Sequence, residues 1–378
     1  EGIIDQSSMR RETLRFNLSA RINSWFRINL QSNLGYTKYQ TNSESDAIYD
    51  GDGVYVTNPM VAARKALPYD SPYYYTFDEN GKIQWGEKAR FLHFSNMPTP
   101  AEVQSGRSIW RNRVTANITL QEQLNPVNGL TIRAQQNVDA YDARSKSLSF
   151  PMTPYVTPMG DPYDYQGYTD GSNSQSFGRY YAFTYTNTAE YNFSLNDLHN
   201  ISLLAGQESI VSRSDGFGVL TGGYTDRRLM LLNNGTYFGS QGSSSQGNPA
   251  VASSQTISET VFNSYFFNAS YDFDNKYFIE GTFRRDGSSK FSPKHRWANF
   301  WSLGAMWNIK AEPFMSQFTW VDNLQLHTSY GTSGNSGIGN YGFYGLVSQG
   351  GQYNGGTSLT VSTPSNYDLT WETVRSFD

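Results

Sequence analysis

The chain has 378 residues, a formal net charge of −4, 16% charged residues and no cysteine. Without cysteine it has no disulfide framework, no thiolate metal site and no cysteine nucleophile, and its near balance of acidic and basic residues gives no electrostatic basis for binding nucleic acid. No stretch approaches the roughly 18 apolar residues of a membrane-spanning helix, and residues 1–5 lack the basic and apolar regions of a signal peptide. These observations do not exclude a transmembrane β-barrel, because barrel strands alternate lipid-facing with lumen-facing residues and need no long apolar stretch.

Apolar and polar residues alternate with a period of two along most of the chain, which predicts β-strands. In chain order the predicted strands are Leu14–Ile22, Phe26–Tyr36, Val114–Leu120, Leu130–Val138, Tyr181–Phe193, Ile201–Val211, Tyr265–Phe273, Tyr277–Phe283, Trp297–Ile309, Leu324–Thr332 and Leu369–Phe377. Many of these patterns extend over about ten residues, whereas strands of soluble sandwiches usually have about five or six. Long strands with one polar face are typical of a wall between lipid and a wet lumen; a soluble β-sandwich or β-solenoid is the alternative on this observation alone.

The connections between the predicted strands alternate between short and long. Short links lie near Asn23, Pro126, Asp197 and Asn275, and the long loop regions are 40–112, 142–178, 212–259 and 334–368. Successive strands of a meander turn at opposite ends, so this alternation puts all the long loops on one side, as in outer-membrane barrels. A sandwich has no reason to segregate loops by length, and the sequence therefore predicts an all-β antiparallel meander of a transmembrane β-barrel.

Local patterns predict some structure inside the connections. Met60–Leu67 is predicted as a short helix, and Tyr73–Phe77 with Lys82–Trp85 as a hairpin around an Asn-Gly turn. Ser212–Gln255 is rich in Gly and Ser and is predicted to be a mobile lid or disordered loop. The link before Leu324 is predicted to contain a helical turn at Glu312–Ser316.

No catalytic constellation is recognisable, so the chain is not expected to be an enzyme. The four histidines are scattered without metal-ligand spacing, and the G-x-G-x-x-G match at residues 337–342 is followed by a Gly-rich loop rather than a helix. Asp50 and Asp52 could offer carboxylates to Ca²⁺, but Val61 occupies the position of the Glu that closes an EF-hand loop. A solvated acidic turn is the favoured interpretation, with loop-bound calcium as the alternative and no other cofactor or metal.

Aromatic residues in the predicted loops are candidates for substrate binding. Exposed rings offer flat faces to sugar rings or peptide side chains, although they can equally pack loops against one another. The candidates are Tyr74, Trp85, Tyr168, Tyr237 and Tyr344.

The second half of the chain carries an ordered series of motifs. They are Phe283–Phe291 (FRRDGSSKF), Ser302–Trp307 (SLGAMW), Glu312–Phe314 (EPF), Val321–Leu324 (VDNL), Ser329–Asn335 (SYGTSGN) and Leu369–Glu372 (LTWE). This order resembles the barrel of SusC/RagA-type TonB-dependent outer-membrane transporters of Bacteroidetes, strongly over residues 265–378 and elsewhere by strand pattern and loop character. The motif residues expected to be structural are Asp286, Gly287, Ser288, Ser289, Gly334 and Asn335, the first four as a tight loop held by local Asp and Ser hydrogen bonds.

The resemblance implies a 22-stranded barrel in the outer membrane, with an N-terminal plug, a SusD-like surface lipoprotein as a lid, and energy from TonB-ExbB-ExbD. About a dozen strands are predicted, roughly half of such a wall. Residues 1–378 are therefore expected to be an internal part of the barrel domain, without plug, TonB box or C-terminal strands. An open half-barrel leaves two unpaired edges that cannot persist in hydrocarbon, so other strands are expected to complete the wall.

The function favoured by this resemblance is import of oligomeric nutrients, either glycans or peptides, through a wall that contacts the lipid bilayer. A soluble or surface-attached β-rich glycan-binding protein, with the loop aromatics as its platform, is the alternative. A β-rich glycan hydrolase would need two carboxylates roughly 5–9 Å apart in a cleft, and no such pair is identifiable.

Overall fold

The computed structural model describes residues 7–42, 48–50, 53–55, 73–88, 91–92, 97–98, 106–151, 153–154, 168–169, 171–238, 252–354 and 356–378. Most of these residues form β-strands. Their bounds are β1 Ser8–Arg21, β2 Phe26–Thr41, β3 Ile48–Asp50, β4 Gly53–Tyr55, β5 Tyr73–Phe77, β6 Ile83–Lys88, β7 Phe91–Leu92, β8 Met97–Pro98, β9 Arg107–Leu124, β10 Leu130–Ser149, β11 Thr153–Pro154, β12 Tyr168–Thr169, β13 Gly171–Leu195, β14 His199–Tyr224, β15 Tyr237–Phe238, β16 Ala252–Phe273, β17 Tyr277–Ser288, β18 Trp297–Asn308, β19 Gln325–Asn335, β20 Leu346–Tyr353, β21 Gly356–Thr363 and β22 Glu372–Phe377. In the same ranges, 3-10 helices lie at Leu232–Asn234, Ile309–Ala311 and Pro313–Gln317. No helix in the described part of the chain is long and apolar enough to cross a membrane.

One large antiparallel sheet dominates the fold. Its strand order is β1-β2-β9-β10-β13-β14-β16-β17-β18-β19-β22, and the short β15 also pairs with β14. The remaining strands form two-stranded hairpins inside the connections. Each long strand therefore pairs with the next long strand along the chain, which confirms the predicted antiparallel meander.

The two faces of the sheet differ in polarity. Successive residues of a strand point to opposite faces, and directly paired residues share a face. One face carries rows of apolar side chains that continue from strand to strand, such as Val138, Phe183, Val211 and Val261. Many of these side chains are exposed, and each has about 1.5–3 kcal/mol to gain from leaving water. We call this the apolar face and the opposite one the polar face.

The described sheet is a single layer. Contacts between its strands are those of hydrogen-bonded neighbours, so no second sheet covers the apolar face within the described ranges. A β-sandwich would bury that face against another sheet about 10 Å away. The single layer rules out the sandwich and leaves an apolar surface far larger than soluble monomers usually expose.

Aromatic side chains border the apolar face at two heights. Near the short turns, Tyr277 stacks on Trp307 with ring centroids 6.5 Å apart. Nearer the long connections, Tyr265 stacks on Trp297 at 6.1 Å, and the Arg285 guanidinium lies 5.3 Å from the centroid of the Trp297 ring. The segment from Tyr277 to Arg285 on β17 fits the roughly 9–11 residues with which a tilted strand crosses a bilayer. These rings have the positions of the two interfacial girdles of a membrane barrel.

Short and long connections lie at opposite ends of the sheet. At one end, residues 22–25, 125–129, 196–198 and 274–276 form tight turns. Two of these turns use Asn and Asp in the left-handed region, with φ of 52° and 56° at Asn196 and Asp197, a conformation that Asn and Asp tolerate better than other side chains. The connections 42–106, 150–170, 225–251 and 336–371 all lie at the other end.

The strands extend further into the long loop regions than the sequence pattern predicts. Residues 142–149, 171–178, 212–224 and 252–259 are strand rather than loop. These extensions lie beyond the aromatic rings nearer the long connections, Tyr265 and Trp297, which we call the outer girdle. They are rich in Ser, Gly and charged residues, so apolar alternation disappears although backbone pairing continues. The last strand was also predicted wrongly, because it begins at Glu372 rather than Leu369.

Some predicted local elements are present. β5 and β6 form the predicted hairpin, in which Asp78 Oδ1 accepts hydrogen bonds from the amides of Asn80 and Lys82. The Lys82 amide is the main group that lowers the pKa of the exposed Asp78 carboxyl. The predicted helical turn at Glu312–Ser316 is present as the 3-10 helix Pro313–Gln317. The predicted helix Met60–Leu67 lies outside the described residues.

A hydrogen-bonded clamp holds the link between β18 and β19. Glu312 Oε1 accepts hydrogen bonds from the Tyr277 hydroxyl at 2.6 Å and from Trp307 Nε1 at 3.1 Å. These two bonds, that of Tyr277 first, lower the pKa of Glu312. The link at residues 309–324, the longest described connection at the short-turn end, is thereby hydrogen-bonded to Tyr277 and Trp307, the two aromatic residues near the short turns.

Candidate functional site

The polar face carries a continuous row of hydrophilic side chains. In cross-strand register from β1 to β17, the row is Ser19, Asn29, Gln121, Gln135, Thr186, Glu208, Ser264 and Asp286. Neighbours within it are hydrogen-bonded: Ser19 Oγ donates to Asn29 Oδ1 at 2.7 Å, and Thr186 Oγ1 donates to Glu208 Oε2 at 3.4 Å. At this height the polar face is therefore hydrophilic from β1 to β17.

Charged side chains form a network where this row crosses β14, β16 and β17. Arg284 Nε donates to Asp286 Oδ1 at 2.7 Å, and its guanidinium also donates to Ser264 Oγ at 2.9 Å. Glu208 lies 3.7 Å from the same guanidinium. The Asp286 side chain is only 10% exposed, and a carboxylate buried to this extent needs such a partner. The network results directly from the register, since Ser264 pairs with Glu208 on one side and with Asp286 on the other.

The predicted tight loop at Asp286–Ser289 is corrected by the structure. Asp286, Gly287 and Ser288 are the last residues of β17 and pair with β16 on one side, while Gly287 also pairs with Trp297 of β18. Only Ser289 lies in the turn that follows. Its amide donates to the carbonyl of Val261 at 2.9 Å, and its hydroxyl accepts from the Val261 amide at 2.9 Å. Pairing on both sides outweighs the turn preference of the sequence DGSS.

The motif residues meet in an apolar cluster on the polar face. Phe291, Phe300 and Trp371 are 0%, 7% and 8% exposed, and the Trp371 ring centroid lies 5.0 Å from that of Phe291 and 5.7 Å from that of Phe300. Phe300 pairs with Arg284, which places the cluster on the polar face. We call these three residues, with their half-buried neighbours Phe262, Ala298, Ile338 and Leu369, the motif cluster.

Hydrogen bonds tie three separate chain segments to the motif cluster. Trp371 Nε1 donates to the carbonyl of Arg296 at 3.0 Å, and Ser292 Oγ donates to the carbonyl of Tyr367 at 2.7 Å. Lys290 Nζ donates to the carbonyl of Ser336 at 3.4 Å. The connections after β17 and after β19 are thereby folded over the polar faces of β16 to β18.

Both glycines of the candidate set lie against aromatic rings. A Cβ atom added to Gly334 would lie 2.0 Å from Cζ of Phe300, and one added to Gly287 would lie 2.8 Å from the Trp297 ring. Asn335, next to Gly334, accepts a hydrogen bond from the amide of Gly337 and donates one to Glu372 Oε2. Gly287, Gly334 and Asn335 thus make packing and turn contacts, and Asp286, Ser288 and Ser289 make local hydrogen bonds; that the role of these residues is structural stays a prediction.

Of the five loop aromatics, only Tyr344 has a side chain within the described part of the structure. Tyr74 and Trp85 lie in the β5–β6 hairpin, Tyr168 in β12 and Tyr237 in β15, and the side chains of all four lie outside the described part of the structure. Tyr344 is 47% exposed and contacts the buried Phe343 ring, with centroids 4.1 Å apart. Their role in binding substrate stays a prediction.

The calcium site also stays a prediction. Asp50 ends β3, and its side chain is outside the described residues, as is all of Asp52. Among the described residues, no group of three or more His, Asp or Glu could hold a metal ion.

Sequence reasoning missed a group of aromatic and basic residues on the polar face. Tyr141 of β10 pairs with Tyr180 of β13, and their rings stack 5.5 Å apart. The Arg113 guanidinium lies 4.2 Å from the centroid of the Tyr141 ring. Arg113 and Tyr141 occupy the positions that alternate with apolar Val114 and Val138, so the sequence pattern could have placed them on the polar face. Only the register between the strands shows that the three side chains meet.

Comparison with known proteins gives relatives of one kind. No known family profile matches the chain. A TonB-dependent receptor of Formosa agariphila is 23% identical over 386 residues, which cover 100% of this chain and 35% of that receptor. SusC, a TonB-dependent receptor of Bacteroides thetaiotaomicron, is 34% identical over 122 residues, which cover 30% of this chain and 12% of SusC. The chain therefore spans about a third of the first of these relatives.

Solved structures show the same relationship. The RagAB peptide transporter is 28% identical with a TM-score of 0.73, and the match covers 98% of this chain and 38% of that one. The RagAB peptide importer in its "open-open" state matches with a TM-score of 0.72. These findings confirm the resemblance to SusC/RagA-type transporters and, with it, a place in the bacterial outer membrane. The relatives are receptors and transporters, which agrees with the expectation that the chain is not an enzyme.

Proposed function

We propose that residues 1–378 form part of the wall of an outer-membrane importer of oligomeric nutrients. The support is that the homologues of the chain are TonB-dependent receptors and that its fold matches the RagAB peptide transporter. The observation that carries the proposal is the single sheet with one apolar and one polar face. Lipid covers the apolar face, and the polar face lines the lumen through which hydrophilic solutes pass. TonB supplies the energy through parts of the protein outside this chain.

The partner we propose is a SusD-like surface lipoprotein that covers the long-connection end. The homologues support this partner, because SusC is among them and RagAB by its name joins two components. The large connections at one end of the sheet offer the surface on which such a lid would lie. Loop aromatics such as Tyr344, which is 47% exposed, would contact the substrate or the lid.

We favour oligopeptides over oligosaccharides as the substrate class. The support is that the solved structure that matches 98% of the chain, at 28% identity, is that of a peptide transporter. The glycan alternative keeps the same wall and energy source, and uptake assays distinguish the two.

Uptake by cells tests the proposal. The full-length protein is expressed in a Bacteroidetes strain that lacks its own copy, and the uptake of labelled oligopeptides and oligosaccharides is measured with and without TonB. We expect uptake of peptides that requires TonB, and co-purification of a lipoprotein with the tagged protein. Uptake that is indifferent to TonB, or a protein that is monodisperse without detergent, would contradict the proposal.

A further inference from the structure

The stacked group of Arg113, Tyr141 and Tyr180 lies on the polar face near the long-connection end. The ion pair Asp142–Arg179 lies one residue further along the same two strands, on the opposite face. The two tyrosine rings stack with an interplanar angle of 27°. The Arg113 guanidinium extends the stack from the neighbouring strand β9, at 4.2 Å from the Tyr141 centroid.

Arg113 differs from several other arginines in what it contacts. Arg133 and Arg179 pair with Glu190 and Asp142, and Arg284 pairs with Asp286. Arg113 is exposed and stacks on Tyr141, and among the described residues no carboxylate or carbonyl accepts a hydrogen bond from it. A stacked guanidinium keeps its N–H donors at the edge of its plane, where they match the two oxygens of a carboxylate.

Beside the stack, the polar face becomes a shallow trough. The next two rows of β10, β13 and β14 carry only small residues, namely Ala143, Gly178, Gly216, Ser145, Ser176 and Gly218. A Cβ atom added to Gly178 would meet nothing within 4 Å. Small residues in a strand allow another backbone to approach closely, so an extended peptide could lie across this floor with its side chains against the rings.

We propose that Arg113, the Tyr141–Tyr180 ring pair and the Gly178 trough form a subsite for a carboxylate of an acidic peptide. The inference rests on the proposed import function and adds a preference for acidic substrates. Arg113 binds the carboxylate in a forked geometry, the rings contact apolar atoms next to it, and the trough holds the peptide backbone. The carboxylate is either an Asp or Glu side chain or the free C-terminus of the peptide.

Binding of defined probes to the full-length protein in detergent tests the subsite. The probes are labelled hexapeptides: one with Asp and Glu and an amidated C-terminus, one with Asn and Gln and a free C-terminus, and one with Asn, Gln and an amidated C-terminus. We expect Arg113→Gln to weaken whichever carboxylate probe binds by about tenfold and to leave the fully neutral probe unchanged. The probe that loses affinity identifies the carboxylate.

Two further variants separate this site from general effects. Arg144→Gln, on the opposite face of β10, removes the same charge and is expected to leave all affinities unchanged. Gly178→Leu fills the open trough and is expected to weaken every probe, while heat-dependent mobility on gels shows that the variants still fold.

Several results would overturn the subsite. They are equal affinity of the wild-type protein for charged and neutral probes, an unchanged affinity in Arg113→Gln, or an equal loss in Arg144→Gln. Uptake distinguishes this failure from failure of the import function. If Arg113→Gln still imports neutral peptides in a TonB-dependent manner, the import function is supported even when the binding results contradict the subsite.

Discussion

Two apolar clusters lie at the long-connection end of the sheet, on opposite faces. The motif cluster covers the polar face, whereas Leu148, Tyr224 and Met230 form a second cluster on the apolar side with Trp110 and Phe150 packed against it. We call the second one the outer cluster. The motif cluster holds two connections, those after β17 and β19, over the polar face, while the outer cluster holds one connection, at residues 225–236, against the ends of β9, β10, β13 and β14.

Polar contacts support the two clusters in different ways. The outer cluster depends on the fully buried Asn173, whose Nδ2 donates to the carbonyl of Met230 at 2.7 Å, and on the Tyr224 hydroxyl, which donates to the carbonyl of Leu231 at 2.8 Å. The motif cluster lies next to the ionic network of Arg284 and Asp286. Because the motif cluster holds two connections and the outer cluster holds one, damage to the motif cluster should loosen two separate segments, whereas damage to the outer cluster should loosen only residues 225–236.

The largest expected effect is that of Trp371→Ala. Removing a buried Trp costs about 3–5 kcal/mol, and the carbonyl of Arg296 also loses its hydrogen bond. We expect a lower denaturant midpoint for the full-length barrel and loss of amide protection in residues 289–296 and 336–345. The matched variant Met230→Ala should lose protection only in residues 225–236. The comparison fails if both variants lose protection over the same residues.

A smaller effect is expected for Gly334→Ala. The added Cβ would lie 2.0 Å from the Phe300 ring, and overpacking of this kind costs about 1–3 kcal/mol. Gly178→Ala is the control, because its Cβ would enter open space on the same face. Denaturant midpoints of the two variants measure the difference, and equal midpoints would show that the motif cluster has room to adjust.

The smallest effect is a pH dependence of the turn that leads into the outer cluster. Hydrogen bonds from Arg228 lower the pKa of Asp226 from 3.8 to about 2. A lowered pKa in the folded state means that this contribution is fully present above pH 3.8 and is lost as the pH falls towards about 2. The protection factors of the amides of residues 226–230, which are exchange rates corrected for the intrinsic effect of pH, should therefore stay constant from pH 7 to 4 and fall only below this range. A fall near pH 5 would contradict the assignment, and Asp226→Asn should abolish the transition.

The sequence predicted the strands and the general arrangement well where membrane physics controls residue choice. Between the girdles one face must be apolar, so residues such as Val138 and Phe183 alternate with polar ones and reveal both the strand and its faces. Beyond the outer girdle neither face is in lipid, and this constraint ends. The strand bounds at 142–149 and 171–178 were missed for that reason.

The candidate residues show the same limit. The motif around Asp286 was recognisable as a string, but its assignment to a loop was wrong because pairing with β16 and β18 overrides local turn preference. The stack of Arg113, Tyr141 and Tyr180 has no sequence motif at all. Its members lie on three strands, and only cross-strand register brings them together.

By itself, the sequence determined that this chain forms long antiparallel strands with one apolar and one polar face, because period-two alternation is a local property of each strand. It also determined the family resemblance through an ordered set of motifs. Only the tertiary structure decided which polar residues become neighbours, since those contacts depend on register between strands that are far apart in sequence, as between Asn29 and Gln121, which are 92 residues apart. The ionic network and the proposed carboxylate subsite are products of that register, and the motif cluster forms where the connections after β17 and β19 fold over the same sheet.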